Sequence, residues 1–212
     1  PKALNEAMQV YDWVSTYHRE SNIIVLGVSS GGTLALLLLQ ELVSRKHDHK
    51  PKCAILFSPW TDLGARSASI TRNESSDILF TEHTSMGKLF NELFEDCPTG
   101  RVVYSPQRRD CKGLPPLYLV AGGNERLLED TTRFATKASK AGVTVDVHIE
   151  PGLCHAYPLF PDLFPEAKFA QIGMKRLVQS VCPAPVILEA VGTTDASEFA
   201  VVNISAIDEI EI

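Results

Sequence analysis

Apolar residues follow two patterns along this chain. Three short continuous apolar runs predict strands that are buried on both faces, and a fourth run alternates between apolar and polar positions, as strands also do. Other segments repeat apolar residues at intervals of three and four, which predicts helices. The predicted strands are residues 23–27, 53–57, 117–121 and 143–149, and the predicted helices are residues 4–17, 33–45, 129–141 and 165–181.

This alternation of strands and helices predicts an α/β fold, in which helices cover both faces of a parallel sheet. Residues 63–116 break the alternation, because they carry no strand pattern and show a helical pattern only near residues 84–94. We expect this segment to be a helical insertion that helps to cover a pocket. Residues 1–182 then form one unit.

The charge distribution separates residues 183–212 from the rest of the chain. This segment has six acidic residues and no Lys or Arg, and it therefore accounts for the whole net charge of −6. We expect it to be either a disordered acidic extension or a strand-forming appendage. Because the rest of the chain has no basic excess, nucleic acid is not an expected partner. No apolar run is long enough to predict a transmembrane segment.

The five cysteines are scattered along the chain. None of them forms a C-x-x-C pair, so the spacing typical of zinc sites is absent and no metal is expected. An odd and sparse set fits a reducing compartment better than a disulfide framework, and we therefore expect a cytoplasmic location. The cysteines are Cys53, Cys97, Cys111, Cys154 and Cys182.

The sequence GVSSGG at residues 27–32 is the strongest candidate for chemistry. It matches G-x-S-x-G and lies between a predicted strand and a predicted helix, where a sharp turn can raise the hydroxyl of Ser29 above the sheet. The following helix would place its first N–H groups beside Ser29, so that the backbone N–H of Ser30 can donate to an oxyanion. An ordinary βα turn or a phosphate cradle is the alternative, but the lysine of a P-loop is missing here.

A serine nucleophile needs a base, and the base needs an acid to orient it. Of the six histidines, only His155 lies in a loop just after the last predicted strand, where active-site groups of parallel sheets gather. The acid should lie in the loop after the third strand, and Glu125 is preferred because it comes before the helix. Glu129 and Asp130 are expected to cap that helix, and Asp130 is the alternative acid.

Five motifs in the same order make residues 1–182 resemble the hormone-sensitive-lipase-like branch of α/β-hydrolase esterases. GVSSGG is similar to the G-D-S-A-G-G elbow of this branch, and SPWTDL at residues 58–63 is similar to its S-P-W-x-D-L. GLPP at residues 113–116 precedes the acid strand, as it does there. ERLLED at residues 125–130 resembles the segment that holds the acid, and PGLCH at residues 151–155 resembles the P-G-x-x-H histidine loop.

The resemblance implies a carboxylic ester hydrolase that acts on small-molecule esters with short or medium acyl chains. Ser29 would be the nucleophile, His155 the base and Glu125 the acid, and water would hydrolyse an acyl-serine intermediate. The resemblance implies no metal and no cofactor. Val28 and Ser30 stand where the branch usually has Asp and Ala, which we expect to be tolerated because only the backbone of Ser30 is needed.

The H-G-G oxyanion loop of this branch, together with its first strands, has no counterpart between residues 1 and 27. We therefore expect a piece of a longer protein, or a chain that a second chain or a homodimer completes, since the strand at residues 23–27 would otherwise be an exposed edge. The same absence leaves a second interpretation open, a non-catalytic ligand-binding or interaction protein. Gibberellin receptors resemble this branch but lack the histidine, so His155 argues against that interpretation.

Overall fold

The computed structural model describes residues 2–17, 23–80 and 103–182. The four predicted strands and the predicted helices at residues 4–17, 33–45, 129–141 and 165–181 are confirmed, although the second of these helices begins at Ser30 instead of residue 33. The helices are α1 (Lys2–Tyr17), α2 (Ser30–Ser44), α3 (Ser69–Arg72), α4 (Leu128–Lys140) and α5 (Ala167–Val181). The strands are β1 (Ile24–Val28), β2 (Cys53–Phe57), β3 (Leu117–Gly122) and β4 (Val145–Glu150), and 3₁₀ turns occupy Pro106–Arg108 and Tyr157–Leu159.

The four strands form one parallel sheet in the order β1-β2-β3-β4, as predicted. The register pairs Val28 with Phe57, Phe57 with Val120, and Gly122 with Glu150. Because every strand runs in the same direction, the carboxyl ends of all four lie along one edge of the sheet. In open α/β sheets this edge is where ligands bind.

Helices cover both faces of the sheet, which also confirms the prediction. On one face, α2 and α4 bury Leu36 and Phe134 against Leu119 of β3. On the other face, α5 buries Ala170 against Tyr118. Leu119 and Tyr118 are neighbours in β3 and point to opposite faces, as successive strand residues do. Helix α1 packs its apolar residues against α2.

The strand β1 is more exposed than its neighbours. Strands β2 and β3 are buried along their whole length, whereas Leu26 in β1 is 53% exposed. Within the described residues, β1 pairs only with β2. The prediction that residues 23–27 are buried on both faces is therefore wrong for this part of the chain, because α2 packs over the face that carries Val25 while the Leu26 side chain on the opposite face stays exposed.

The predicted insertion at residues 63–116 is described only at its two ends. Residues 63–80 contain α3, residues 103–116 contain a 3₁₀ turn, and neither stretch contains a strand. The predicted helix near residues 84–94 and the acidic segment at residues 183–212 lie outside the described residues. None of the helices in the described ranges is long and apolar enough to cross a membrane.

Candidate active site

Ser29 lies in a strained turn between β1 and α2. Its backbone has φ 55° and ψ −120°, a combination that L residues rarely adopt. The N–H of Ser29 donates to the carbonyl of Phe57 at 2.9 Å, and the carbonyl of Ser29 accepts from the N–H of Trp60 at 3.2 Å. The chain around the end of β2 therefore holds the turn, which has the strand–turn–helix context of a nucleophile elbow.

Glycines let the strand and the helix approach each other at this turn. A Cβ on Gly27 would lie 2.5 Å from the carbonyl oxygen of Gly31, and a Cβ on Gly32 would lie 2.8 Å from the Cβ of Pro59. A Cβ on Gly31 would meet nothing within 4 Å. The close approach therefore requires glycine at Gly27 before Ser29 and at Gly32 after it, whereas Gly31 has room for a side chain.

The start of α2 places polar hydrogens next to Ser29. Because the helix begins at Ser30, the N–H groups of Ser30 and Gly31 belong to its first turn, where backbone N–H groups have no intrahelical partner. Ser29 is half-buried and Ser30 is exposed. These N–H groups and the positive end of the helix dipole can stabilise a negative oxygen that forms beside Ser29.

Glu125 follows β3 and its side chain is fully buried. Its Oε2 accepts a hydrogen bond from the hydroxyl of Ser58 at 2.6 Å and another from the N–H of Gly122 at 2.8 Å. Burial raises the pKa of the Glu125 carboxyl, while the neighbouring His155 and these two donors offset part of that rise. One carboxylate oxygen is thus bound by donors, and the other is left for the histidine.

His155 lies in the loop after β4 and turns its ring toward Glu125. Its Nδ1 is 3.8 Å from Oε1 of Glu125, and both atoms are buried without a hydrogen-bond partner. The distance exceeds that of a hydrogen bond, and catalytic pairs often tighten only when substrate binds. The ring of Phe80 contacts the imidazole edge to face, with the centroids 4.4 Å apart. None of the hydrogen bonds found among the described residues joins the hydroxyl of Ser29 to this ring.

Asp130, the alternative acid, binds another part of the chain. Its carboxylate accepts from the N–H groups of Thr61 at 2.8 Å and Asp62 at 2.7 Å, and from the hydroxyl of Ser67. Burial raises the pKa of Asp130 to about 6, although these hydrogen bonds lower it in part. The expectation that Glu129 and Asp130 cap α4 is wrong, because both carboxylates bind N–H groups of the segment after β2 instead.

Two contacts of the site were not predicted from the sequence. Ser58 bonds both Glu125 and the backbone N–H of Ala156, which is next to His155. Ser58 stands in the SPWTDL motif, which could have marked it as part of the site. The motif alone does not indicate which groups the Ser58 hydroxyl binds. For Phe80 there was no signal, because its contact with His155 depends on the path of the chain after β2.

Comparison with known proteins shows the family of this chain. Residues 1–159 match the family described as the α/β-hydrolase fold, and the chain belongs to that family. An esterase of Acinetobacter venetianus is 33% identical over 182 residues, which cover 85% of this chain and 60% of that protein. The carboxylesterase/phospholipase LipF of Mycobacterium tuberculosis is 30% identical over 184 residues, which cover 81% of this chain and 48% of LipF.

A solved structure indicates which branch of this family the chain resembles. The crystal structure of an esterase from the bacterial hormone-sensitive lipase (HSL) family matches with a TM-score of 0.69 and 27% identity, over 84% of this chain and 60% of that one. The resemblance to the hormone-sensitive-lipase-like branch is thereby confirmed. The chain spans between 48% and 60% of the length of these three proteins.

Proposed function

We propose that this protein is a carboxylic ester hydrolase that uses Ser29, His155 and Glu125 as nucleophile, base and acid. The observation that carries the proposal is their common position: the strained turn of Ser29 ends β1, Glu125 follows β3, and His155 follows β4, all at one edge of a parallel sheet. The names of the relatives, esterase and carboxylesterase, support the same class of reaction. Esters with short or medium acyl chains are the proposed substrates.

In the first half of the reaction, the hydroxyl oxygen of Ser29 attacks the ester carbonyl carbon while Nε2 of His155 takes the hydroxyl proton. The carbonyl oxygen becomes an oxyanion, to which the backbone N–H of Ser30 donates. His155 then gives its proton to the leaving alcohol as the bond between the carbonyl carbon and the alcohol oxygen breaks. The acyl group remains on Ser29.

In the second half, a water molecule attacks the acyl carbon while His155 takes a proton from that water. The proton returns to the oxygen of Ser29 as the carboxylic acid leaves. Glu125 accepts a hydrogen bond from the Nδ1–H of His155, which keeps Nε2 available as the base on the side of Ser29. The 3.8 Å between Nδ1 and Oε1 shortens by about 1 Å when this hydrogen bond forms.

Hydrolysis of p-nitrophenyl esters, from the acetate to the octanoate, tests the proposal. The unaltered chain is compared with Ser29→Ala, which removes the nucleophile, and with Ser30→Ala, a matched control that keeps the backbone N–H and changes an exposed side chain. We expect Ser29→Ala to lose at least about 10³-fold in kcat. Ser30→Ala keeps its activity in this account.

Equal, background-level rates in the unaltered chain and in Ser29→Ala would contradict the proposal and would favour a non-catalytic ligand-binding protein. If only Ser30→Ala lost activity, the nucleophile would be Ser30 and not Ser29. The order of kcat/KM along the ester series then tests the proposed acyl preference separately from the mechanism.

A further inference from the structure

We propose that Ser58 is a positioning residue that holds Glu125 and the loop of His155 in register for proton transfer, an inference that rests on the proposed function. Ser58 follows β2 directly, and β2 lies between the strand that Ser29 ends and the strand that Glu125 follows. Its surface is completely buried, so it acts through the groups it binds and not on a substrate.

The hydroxyl of Ser58 joins the acid to the loop that carries the base. It donates to Oε2 of Glu125 at 2.6 Å and accepts from the N–H of Ala156 at 2.9 Å. A hydroxyl has one hydrogen, so these two bonds fix its direction: the proton points at Glu125 and a lone pair points at Ala156. Because Ala156 follows His155 in the chain, one side chain sets the position of both partners.

The backbone around this hydroxyl is held in an unusual conformation at both ends of the link. Ser58 has φ 48° and Ala156 has φ 54°, values that residues with a side chain seldom adopt unless their surroundings enforce them. The N–H of Ser58 donates to the carbonyl of Val120 at 2.7 Å, which ties it to the strand before Glu125. The hydroxyl is therefore anchored from its own backbone as well.

This arrangement decides which carboxylate oxygen is left for the histidine. Oε2 of Glu125 receives the hydroxyl of Ser58 and the N–H of Gly122, whereas Oε1 faces Nδ1 of His155. Removing the hydroxyl takes one donor from the buried anion, so the acid–base pair binds a proton more readily. It also leaves the N–H of Ala156 buried without a partner, which loosens the histidine loop.

The test compares Ser58→Ala with Ser69→Ala. Ser69 is equally buried, and its hydroxyl likewise donates to a carbonyl, that of Arg126 at 2.8 Å, and accepts from an N–H, that of Glu129 at 3.0 Å. Its removal therefore breaks two hydrogen bonds, as the removal of the Ser58 hydroxyl does, but neither of them involves the acid or the histidine loop. We expect Ser58→Ala to lower kcat about tenfold or more with KM unchanged, and to move the acidic limb of the kcat–pH profile up by about one pH unit.

Ser69→Ala should keep both the kcat and the acidic limb of the unaltered protein, even if it unfolds more easily. A second variant, Ser58→Gly, relieves the positive φ but also lacks the hydroxyl, and we expect it to behave like Ser58→Ala. Normal kcat in Ser58→Gly, or an equal shift of the acidic limb in Ser69→Ala, would overturn the positioning role. Because a less stable variant also unfolds at a higher pH on the acid side, the acidic limb is compared only over the pH range in which far-UV circular dichroism shows each variant folded.

A measurement without turnover separates this inference from the proposed function. A proton shared between Nδ1 of His155 and Glu125 is strongly deshielded, so its NMR signal lies far downfield and disappears in His155→Gln. With a ketone analogue of a short-chain ester, which cannot be hydrolysed, bound so that the 3.8 Å gap closes, we expect this signal in the unaltered protein and in Ser69→Ala, and its loss in Ser58→Ala. Its absence from the unaltered protein, or its persistence in Ser58→Ala, would overturn the role of Ser58. A normal signal without ester hydrolysis would count against the proposed function alone.

Discussion

At the scale of single residues, Glu125 and Ser29 both occupy environments that need support from their neighbours. The carboxyl of Glu125 is fully buried, which raises its pKa, and donors from Ser58 and Gly122 make the charged form tolerable. Ser29 has a strained backbone worth about 1–3 kcal/mol, held by hydrogen bonds around the end of β2. Backbone strain together with a buried ionisable group at the same sheet edge is typical of functional sites.

Glu125→Gln should separate activity from stability. The amide has the same shape but can present an N–H to Nδ1 of His155, which favours the wrong tautomer, so we expect kcat to fall about 10³-fold or more. The free energy of unfolding should stay the same or rise. A neutral amide does not carry the cost of burying a charge, which is what raises the pKa of the Glu125 carboxyl.

Glu129→Gln is the matched control for that experiment. Glu129 lies on the same segment, but its carboxylate pairs with Arg72 at 2.8 Å on the surface of the protein. We expect normal ester hydrolysis from this variant. If Glu125→Gln kept its activity and Glu129→Gln lost it, the assignment of Glu125 as the acid would be wrong.

Asp130 gives a prediction about stability and pH. Its pKa rises from the ordinary 3.8 to about 6 in the folded protein, chiefly because of burial, so between these values the folded form binds a proton that the unfolded form has lost. Stability from this group is therefore greatest below about pH 4 and falls as the pH rises to about 6, by about 3 kcal/mol in all.

Urea unfolding of the unaltered chain and Asp130→Asn at several pH values measures this effect. The variant cannot titrate at this position, so the difference in unfolding free energy between the two proteins isolates Asp130 from the other carboxylates. We expect the unaltered chain to lose stability relative to the variant between about pH 4 and pH 6. A relative gain of stability over this range would contradict the raised pKa.

At the scale of the elements, β1, the turn and α2 were the most predictable part of the fold. Their signals are local: an apolar run, a G-x-S-x-G motif and a long apolar helix. The apolar helical pattern predicts a start at residue 33, because the apolar run of this helix begins at Leu34 and the polar and glycine residues before it carry no helical pattern. The structure starts the helix at Ser30, and the N–H groups of Gly32 and Thr33 already bond the carbonyl of Ser29.

Contacts between elements were much less predictable. Asp130 and Glu129 stand in the first turn of α4, where capping is the usual role of acids, yet they bind the segment after β2. The link from Ser58 to Glu125 and Ala156 joins residues 67 and 98 positions apart in the chain. No local pattern reports a hydrogen bond between residues so distant in sequence, because their approach depends on the whole sheet.

Gly32→Ala tests how closely α2 must approach the loop after β2. The added methyl would lie 2.8 Å from the Cβ of Pro59 and 2.9 Å from its Cα, so something must shift. We expect a loss of about 1–3 kcal/mol in unfolding free energy, measured by urea denaturation.

Gly31→Ala serves as its control. A Cβ at Gly31 meets nothing within 4 Å, and alanine is favoured over glycine in a helix by up to about 1 kcal/mol. This variant should be as stable as the unaltered chain or more so. Equal destabilisation in the two variants would show that contact with Pro59 is not the reason why glycine is needed at residue 32.

At the scale of the whole molecule, the parallel order of the strands is what assembles the site. The strands β1, β3 and β4 deliver Ser29, Glu125 and His155 to one edge, and Ser58 at the end of β2 fills the position between them. The sequence predicted this edge correctly because the alternation of strands and helices implies a parallel sheet. The cytoplasmic location, and a homodimer or second chain that completes the sheet beside β1, stay predictions.

The central claim is that Ser29 is an activated nucleophile, and labelling with a fluorophosphonate tests it most directly. The probe forms a covalent bond with a serine only when a base takes the hydroxyl proton. Fragment-ion mass spectrometry of the peptide that contains Ser29 and Ser30 locates the adduct. We expect one adduct, on Ser29, that is absent in Ser29→Ala and forms far more slowly in His155→Gln. No adduct, an adduct on Ser30, or an unchanged rate in His155→Gln would contradict it.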